Sequence, residues 1–179
     1  MYEDGDGVEK NLFKAGSYYR EACDLKYGAS CSNLGLIYLN KMLKMKDGGQ
    51  SRKYFEKACD LKEGVGCFGL GLIYKDGMGV KKDPLKAVSS FTKACDLDSG
   101  SGCLDLGSMY ADGKGVKKDL GKAKKYYTKA CDLEEGKGCS NLGLIYQDGI
   151  GVRKDKGKAK EYFGKACDLK NNTGCKMYA

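Results

Sequence analysis

Lys93-Ala94-Cys95-Asp96-Leu97-Asp98-Ser99-Gly100-Ser101-Gly102-Cys103-Leu104-Asp105-Leu106-Gly107 decides the fold. Two cysteines stand eight positions apart across a short loop bearing Gly100 and Gly102. Near-copies run from Ala22-Cys23-Asp24-Leu25 to Cys31, Ala58-Cys59-Asp60-Leu61 to Cys67, Ala130-Cys131-Asp132-Leu133 to Cys139, and Ala166-Cys167-Asp168-Leu169 to Cys175, always 36 residues on. A fixed period of this order marks a stacked array, in which each unit buries its apolar face against its neighbours. The 179 residues read as one repeat domain of about five units, approximately 1–38, 39–74, 75–110, 111–146 and 147–179, the last cut short.

The third unit shows what one repeat is. Gly77 and Gly79, after Tyr74-Lys75-Asp76, suit a helix C-cap and tight turn. Asp83-Pro84 then offers an N-cap and a proline at the first helical position. The pattern predicts a helix from about Pro84 to Leu97, with Ala87, Phe91 and Ala94 on one face. An elbow over Asp98–Gly102 leads to a second helix from about Cys103 to Asp112, with Cys103, Leu106, Gly107 and Tyr110 on one face. Gly107 recurs as Gly35, Gly71 and Gly143. Glycine inside a helix costs up to about 1 kcal/mol against alanine, so its recurrence predicts close helix–helix contact. The fold class is all-α: αα-hairpins stacked into a curved solenoid with two faces.

Ten cysteines fall into five identically spaced pairs: Cys23 and Cys31, Cys59 and Cys67, Cys95 and Cys103, Cys131 and Cys139, Cys167 and Cys175. Disulfides, thiolate metal sites and reduced core cysteines compete. Zinc wants four ligands, usually from Cys-x-x-Cys pairs or histidine, and the chain has neither. Cores rarely place cysteine, a small hydrophobe, at the same two positions of every unit. One disulfide per unit is the favoured reading. Residues eight apart on a straight helix are about 12 Å distant, too far to bridge, so each pair must flank a chain reversal. Five such bridges place the chain in an oxidising compartment, periplasmic or secreted.

Composition excludes much. The net charge is +8, with 32 lysines and arginines, but only Arg20, Arg52 and Arg153 are arginine. Specific phosphate or base recognition leans on the arginine fork, so scattered lysine reads as a solvated face and nucleic acid is not the expected partner. With no histidine, most catalytic triads and catalytic zinc sites are gone. No cofactor or metal is implied, and no apolar run approaches a membrane span.

Two places depart from the pattern. The second unit has Asn40-Lys41-Met42-Leu43-Lys44 where others have Asp-Gly-x-Gly-Val, so the preceding helix runs on past Tyr38 or the turn is rebuilt, and Met42, Leu43 and Met45 fall at an expected surface turn. The first unit keeps the pattern, with Asp4-Gly5-Asp6-Gly7-Val8, the cap Asn11, then Ala15, Tyr19 and Ala22, but the chain opens in mid-repeat. The last elbow is Asn171-Asn172-Thr173, with asparagine able to turn left-handed, and the chain ends soon after. Both ends suggest a mature form or a fragment.

The Lys-Ala-x-x-Tyr-Phe-x-Lys-Ala run followed by Leu-Gly-x-x-Tyr-x-x-Gly resembles the Sel1-like repeat, a relative of the tetratricopeptide repeat. The Ala-Cys-Asp-Leu signature at Cys23, Cys59, Cys95, Cys131 and Cys167, each with a cysteine eight residues on, narrows the resemblance to the Helicobacter cysteine-rich protein family. It covers essentially the whole chain. The resemblance implies secreted or periplasmic proteins with one disulfide per hairpin. It also implies binding, and in some members slow hydrolysis, of β-lactams, and host interaction in others.

A β-lactam hydrolase would show Ser-x-x-Lys with Ser-Asp-Asn and Lys-Thr-Gly. The chain has Ser90-Phe91-Thr92-Lys93 without the companions, leaving Ser90 and Lys93 as weak catalytic candidates. The Ser90 position is tyrosine in every other unit: Tyr18, Tyr54, Tyr126 and Tyr162. That column lies one step from the packing column, and tyrosine offers contact area at low entropic cost. The favoured function is a disulfide-clamped scaffold binding a peptide or protein partner, from host or cell envelope, on a concave face of first helices. The alternative is a weak β-lactam or peptidoglycan-fragment binder with marginal hydrolase activity.

Overall fold

The computed structural model of the protein describes residues 12–45 and 49–178, without the side chains of 12, 13 and 41–45. Among the described residues the chain forms ten α-helices and no strand. They are α1 (Leu12–Asp24), α2 (Gly28–Met45), α3 (Gly49–Asp60), α4 (Gly64–Asp76), α5 (Pro84–Asp96), α6 (Gly100–Asp112), α7 (Leu120–Asp132), α8 (Gly136–Asp148), α9 (Lys156–Asp168) and α10 (Asn172–Tyr178). They fall into two compact units, Met1–Leu97 and Asp98–Ala179. The first holds the hairpins α1–α2 and α3–α4, followed by α5. The second holds α6, followed by the hairpins α7–α8 and α9–α10.

The first helices α3, α5, α7 and α9 each drive a small–aromatic–small face into the core. Ala87, Phe91 and Ala94 are fully buried; so, nearly, are Ala123, Tyr127 and Ala130 of α7 and Ala159, Phe163 and Ala166 of α9. The recurrent helical glycines explain how the rings fit. Phe55 lies against Gly35, Phe91 against Gly71, Tyr127 against Gly107 and Phe163 against Gly143. A Cβ at Gly107 would stand 2.8 Å from ring carbons of Tyr127. Burying such a ring contributes about 1.5–3 kcal/mol, which outweighs the glycine's helix penalty of about 1 kcal/mol.

The elbows differ from the sequence expectation. The second helix starts at Gly100, not Cys103, so the elbow is only Leu97, Asp98 and Ser99. Its left-handed residue is not glycine: Lys26, Lys62, Asp98, Glu134 and Lys170 carry φ of 67, 60, 57, 61 and 58°. Around Lys62 the first helix ends in a paired closure. Lys62 N–H donates to the Cys59 carbonyl at 3.0 Å, and Glu63 N–H reaches back to Ala58 at 3.0 Å. Glu134–Glu135 and Lys170–Asn171 repeat it. Asn171 thus does not turn left-handed; its side chain instead accepts the Gly174 amide at 2.9 Å. The elbow glycines serve close approach rather than φ: a Cβ at Gly138 would meet that of Ala130 at 2.8 Å.

The reversal puts the cysteines in bridging range. Cα atoms are 4.8 Å apart for Cys23–Cys31, 4.5 Å for Cys59–Cys67, 4.7 Å for Cys131–Cys139 and 4.4 Å for Cys167–Cys175, all bonded. Cys95 and Cys103 are disulfide-bonded too, and no described cysteine is free. The sulfurs are therefore neither metal ligands nor reduced core thiols.

The longer connections between repeats follow the sequence. Gly77, Gly113 and Gly149 close α4, α6 and α8 in the left-handed region. Asp83, Asp119 and Asp155 cap α5, α7 and α9. In the second repeat α2 does run past Tyr38, to Met45, over 18 residues where α4, α6 and α8 have 13. The side chains of Met42, Leu43 and Met45, and the whole of Asp4–Val8 and Asn11, lie outside the described residues.

Candidate binding face

The Asp cap does more than start a helix. Asp83 N–H donates to the Tyr74 carbonyl at 2.9 Å, and the Asp83 side chain accepts the Lys86 N–H at 3.0 Å. That fixes Lys86 one turn into α5, where its ammonium stands 5.2 Å from the Tyr74 ring centre. The next repeats do the same: Asp119 binds the Tyr110 carbonyl and Lys122 stands 5.1 Å over Tyr110. Asp155 binds Tyr146 and Lys158 stands 5.3 Å over its ring. A cation over a phenol contributes about 0.5–1 kcal/mol at exposed sites.

One turn beyond each lysine sits the tyrosine column singled out in the sequence. Tyr54, Tyr126 and Tyr162 are half-buried, and each stacks on a second-helix tyrosine of the preceding repeat. Ring centres are 5.4 Å apart for Tyr38–Tyr54, 5.5 Å for Tyr110–Tyr126 and 5.7 Å for Tyr146–Tyr162, with planes within 14°. Stacked rings gain about 0.5–1.5 kcal/mol beyond area burial. The column therefore packs between repeats and still presents ring surface to solvent; Tyr18 is 58% exposed. Arg20 donates to the Tyr38 hydroxyl at 2.9 Å, and the Tyr38 phenol raises its already high pKa, Tyr54 adding to the effect. Burial pushes the Tyr162 phenol above the usual range.

Sequence reasoning missed Tyr38, Tyr110 and Tyr146 as partners of this column, and Lys86, Lys122 and Lys158 over Tyr74, Tyr110 and Tyr146. The signal was available: Tyr38 and Tyr54, Tyr110 and Tyr126, and Tyr146 and Tyr162 share one spacing within the 36-residue period. Ion pairs lie alongside. Lys57 meets Asp24 at 2.9 Å, Lys129 meets Asp98 at 3.0 Å and Lys165 meets Asp132 at 3.6 Å. They are exposed and contribute little, roughly 0–1 kcal/mol each.

Ser90 and Lys93 lie one turn apart on α5. Ser90 is 8% exposed and Lys93 is exposed, and no hydrogen bond joins them among the described residues. The pair lacks the nucleophile-to-base contact that activates a serine. Among the described residues no group of three or more acidic or cysteine side chains could hold a metal, and no helix is long and apolar enough to cross a membrane.

Comparison with known proteins places this geometry. Residues 1–27, 28–63, 64–99, 100–134 and 136–171 match the model of the Sel1 repeat. Among solved structures, a Sel1 repeat protein from Oxalobacter formigenes superposes with a TM-score of 0.89 at 30% identity, over 98% of this chain and 72% of that one. A protective antigen of uropathogenic Escherichia coli gives 0.86 at 28% identity, over 97% of this chain and 37% of its own length. The cysteine-rich protein B of Helicobacter pylori gives 0.57 at 39% identity, over 78% of this chain and 93% of that one. None of the curated proteins matches the chain.

Proposed function

The chain belongs to the Sel1 repeat family, and from that premise we propose that it is an extracytoplasmic scaffold binding an extended peptide or protein partner on the tyrosine-bearing face of its first helices. The observation that carries the reading is the set of stacked tyrosine pairs, two of them with a lysine over the second-helix ring. Packing has already fixed these rings, so little side-chain entropy remains to be lost on binding. Tyrosine and its neighbours give an amphipathic surface of the kind interfaces use. Each compact unit carries its own part of the column, Tyr18 and Tyr54 in one, Tyr126 and Tyr162 in the other. The five disulfides, and the likeness to a Helicobacter pylori cysteine-rich protein, support an oxidising compartment, periplasmic or secreted.

The test is an array of defined extended peptides from host-surface and cell-envelope proteins, probed with the full oxidised chain. The best binder is then titrated against Tyr54→Ala, Tyr126→Ala and Tyr162→Ala. At least one substitution should weaken binding tenfold or more, as a buried aromatic anchor does, with helical content unchanged. Binding untouched by all three would sink the assignment of the face.

A further inference from the structure

The third repeat breaks the tyrosine ladder at one rung. Tyr74 on α4 corresponds to Tyr38, Tyr110 and Tyr146, each of which carries a stacked ring from the next first helix. At Tyr74 that helix is α5, and the residue in place of the ring-bearer is Ser90. Tyr74 is partly exposed and has no ring partner among the described residues.

Neither Lys86 nor Phe68 stacks on Tyr74 as the missing ring would. Lys86 stands 5.2 Å over Tyr74, but Lys122 and Lys158 stand equally close to Tyr110 and Tyr146 while those tyrosines carry their stacked neighbours. The lysine and the second ring are thus compatible on one tyrosine. Phe68, six residues earlier on α4, pairs with Phe91 at 5.8 Å rather than with Tyr74. Ser90 itself is nearly buried, and its side chain is far smaller than the tyrosine that the other repeats carry at that position.

The chain's own repeats therefore show what fits. We propose that the missing ring leaves a recess between Tyr74 and Ser90, and that it takes the aromatic side chain of a tyrosine or phenylalanine from the bound partner, stacked on Tyr74 as Tyr126 is stacked on Tyr110. This rests on the partner-binding reading above and names its anchor point. A single stacked ring is a weak ligand on its own, but in a polypeptide already held along the face it sets the register.

N-acetyl-L-tyrosinamide is the probe, titrated into protein carrying ring-labelled tyrosine and followed by NMR, beside N-acetyl-L-leucinamide. The tyrosine analogue should shift the Tyr74 ring signals saturably in the millimolar range, and the leucine analogue should not. Ser90→Tyr should fill the recess from within, weaken the probe's effect at least tenfold and raise the melting temperature by roughly 2–4 °C. Ser90→Ala should leave probe binding unchanged, since the hydroxyl has no part, and Tyr74→Ala should abolish it. A lowered melting temperature or failure to fold in Ser90→Tyr would mean that the recess is closed, and overturns the proposal. So would probe shifts identical in the wild type and Ser90→Tyr. The assay needs no partner, so its failure leaves the tyrosine-face titrations to decide the wider reading separately.

Discussion

At Gly71 a methyl group would enter the space of the Phe91 ring, whereas at Gly16 nothing lies within 4 Å of the same added carbon. Two glycine-to-alanine substitutions in helices should therefore move stability in opposite directions. Gly71→Ala should cost about 1–3 kcal/mol through overpacking, and Gly16→Ala should gain about 0.4–1 kcal/mol by restricting the unfolded chain; urea unfolding of both measures it. Tyr127 gives a second residue-scale expectation. Its hydroxyl donates to Ser108 at 3.2 Å, and burial raises its pKa. A raised folded-state pKa means stability that is fully present below the ordinary phenol range, about 10, and lost as pH rises through the folded value. Tyr127→Phe should lose roughly 0.5–1.5 kcal/mol near neutrality and show a shallower fall in melting temperature above pH 10 than the parent.

At the scale of the element, the hairpin is held by three devices acting at one elbow. The paired backbone closure ends the first helix, a non-glycine residue turns left-handed, and the disulfide joins the helices across it. A left-handed lysine or glutamate costs about 1–2 kcal/mol; the bridge offsets this, since closing a nine-residue ring contributes about 2.5 kcal/mol on the chain-entropy estimate. Replacing Cys131 and Cys139 together by serine should lower stability by about that amount in denaturant titration, and an unchanged midpoint would show that the elbow stands on its backbone alone. Asp119→Ala removes the cap on Lys122 N–H and should cost about 1 kcal/mol. It should also release the Lys122 side chain from Tyr110, visible as a changed Tyr110 ring shift.

At the scale of the molecule, the charge of +8 and the repeated lysines should speed encounter with an acidic partner. Electrostatic steering acts on the rate of encounter and fades once the screening length falls to a few ångströms. Association with an acidic peptide identified on the array should therefore slow as salt rises from about 0.05 to 0.5 M. Dissociation, governed by the aromatic contacts, should change little. The opposite split would place the binding energy in the lysines rather than in the tyrosine column.

The repeat, the helical hairpins, the buried Ala–aromatic–Ala face and the five cysteine pairs were legible in the residues, because each is written in a local spacing: 36 for the unit, eight for the bridge, three and four for the helix face. The glycine column was legible as a close contact, though not which ring it admits. Tertiary structure alone decided the rest. Lys62 or Asp98, not a nearby glycine, turns left-handed because the elbow glycines are needed where two helices cross. Tyr110 meets Tyr126 only when consecutive helices pack, so the tyrosine column read from the sequence supplies, at Tyr54, Tyr126 and Tyr162, one ring of a stacked pair. For the same reason Ser90, which in the sequence is one missing aromatic, is tied to Tyr74 only once α4 and α5 stand side by side as α6 and α7 do.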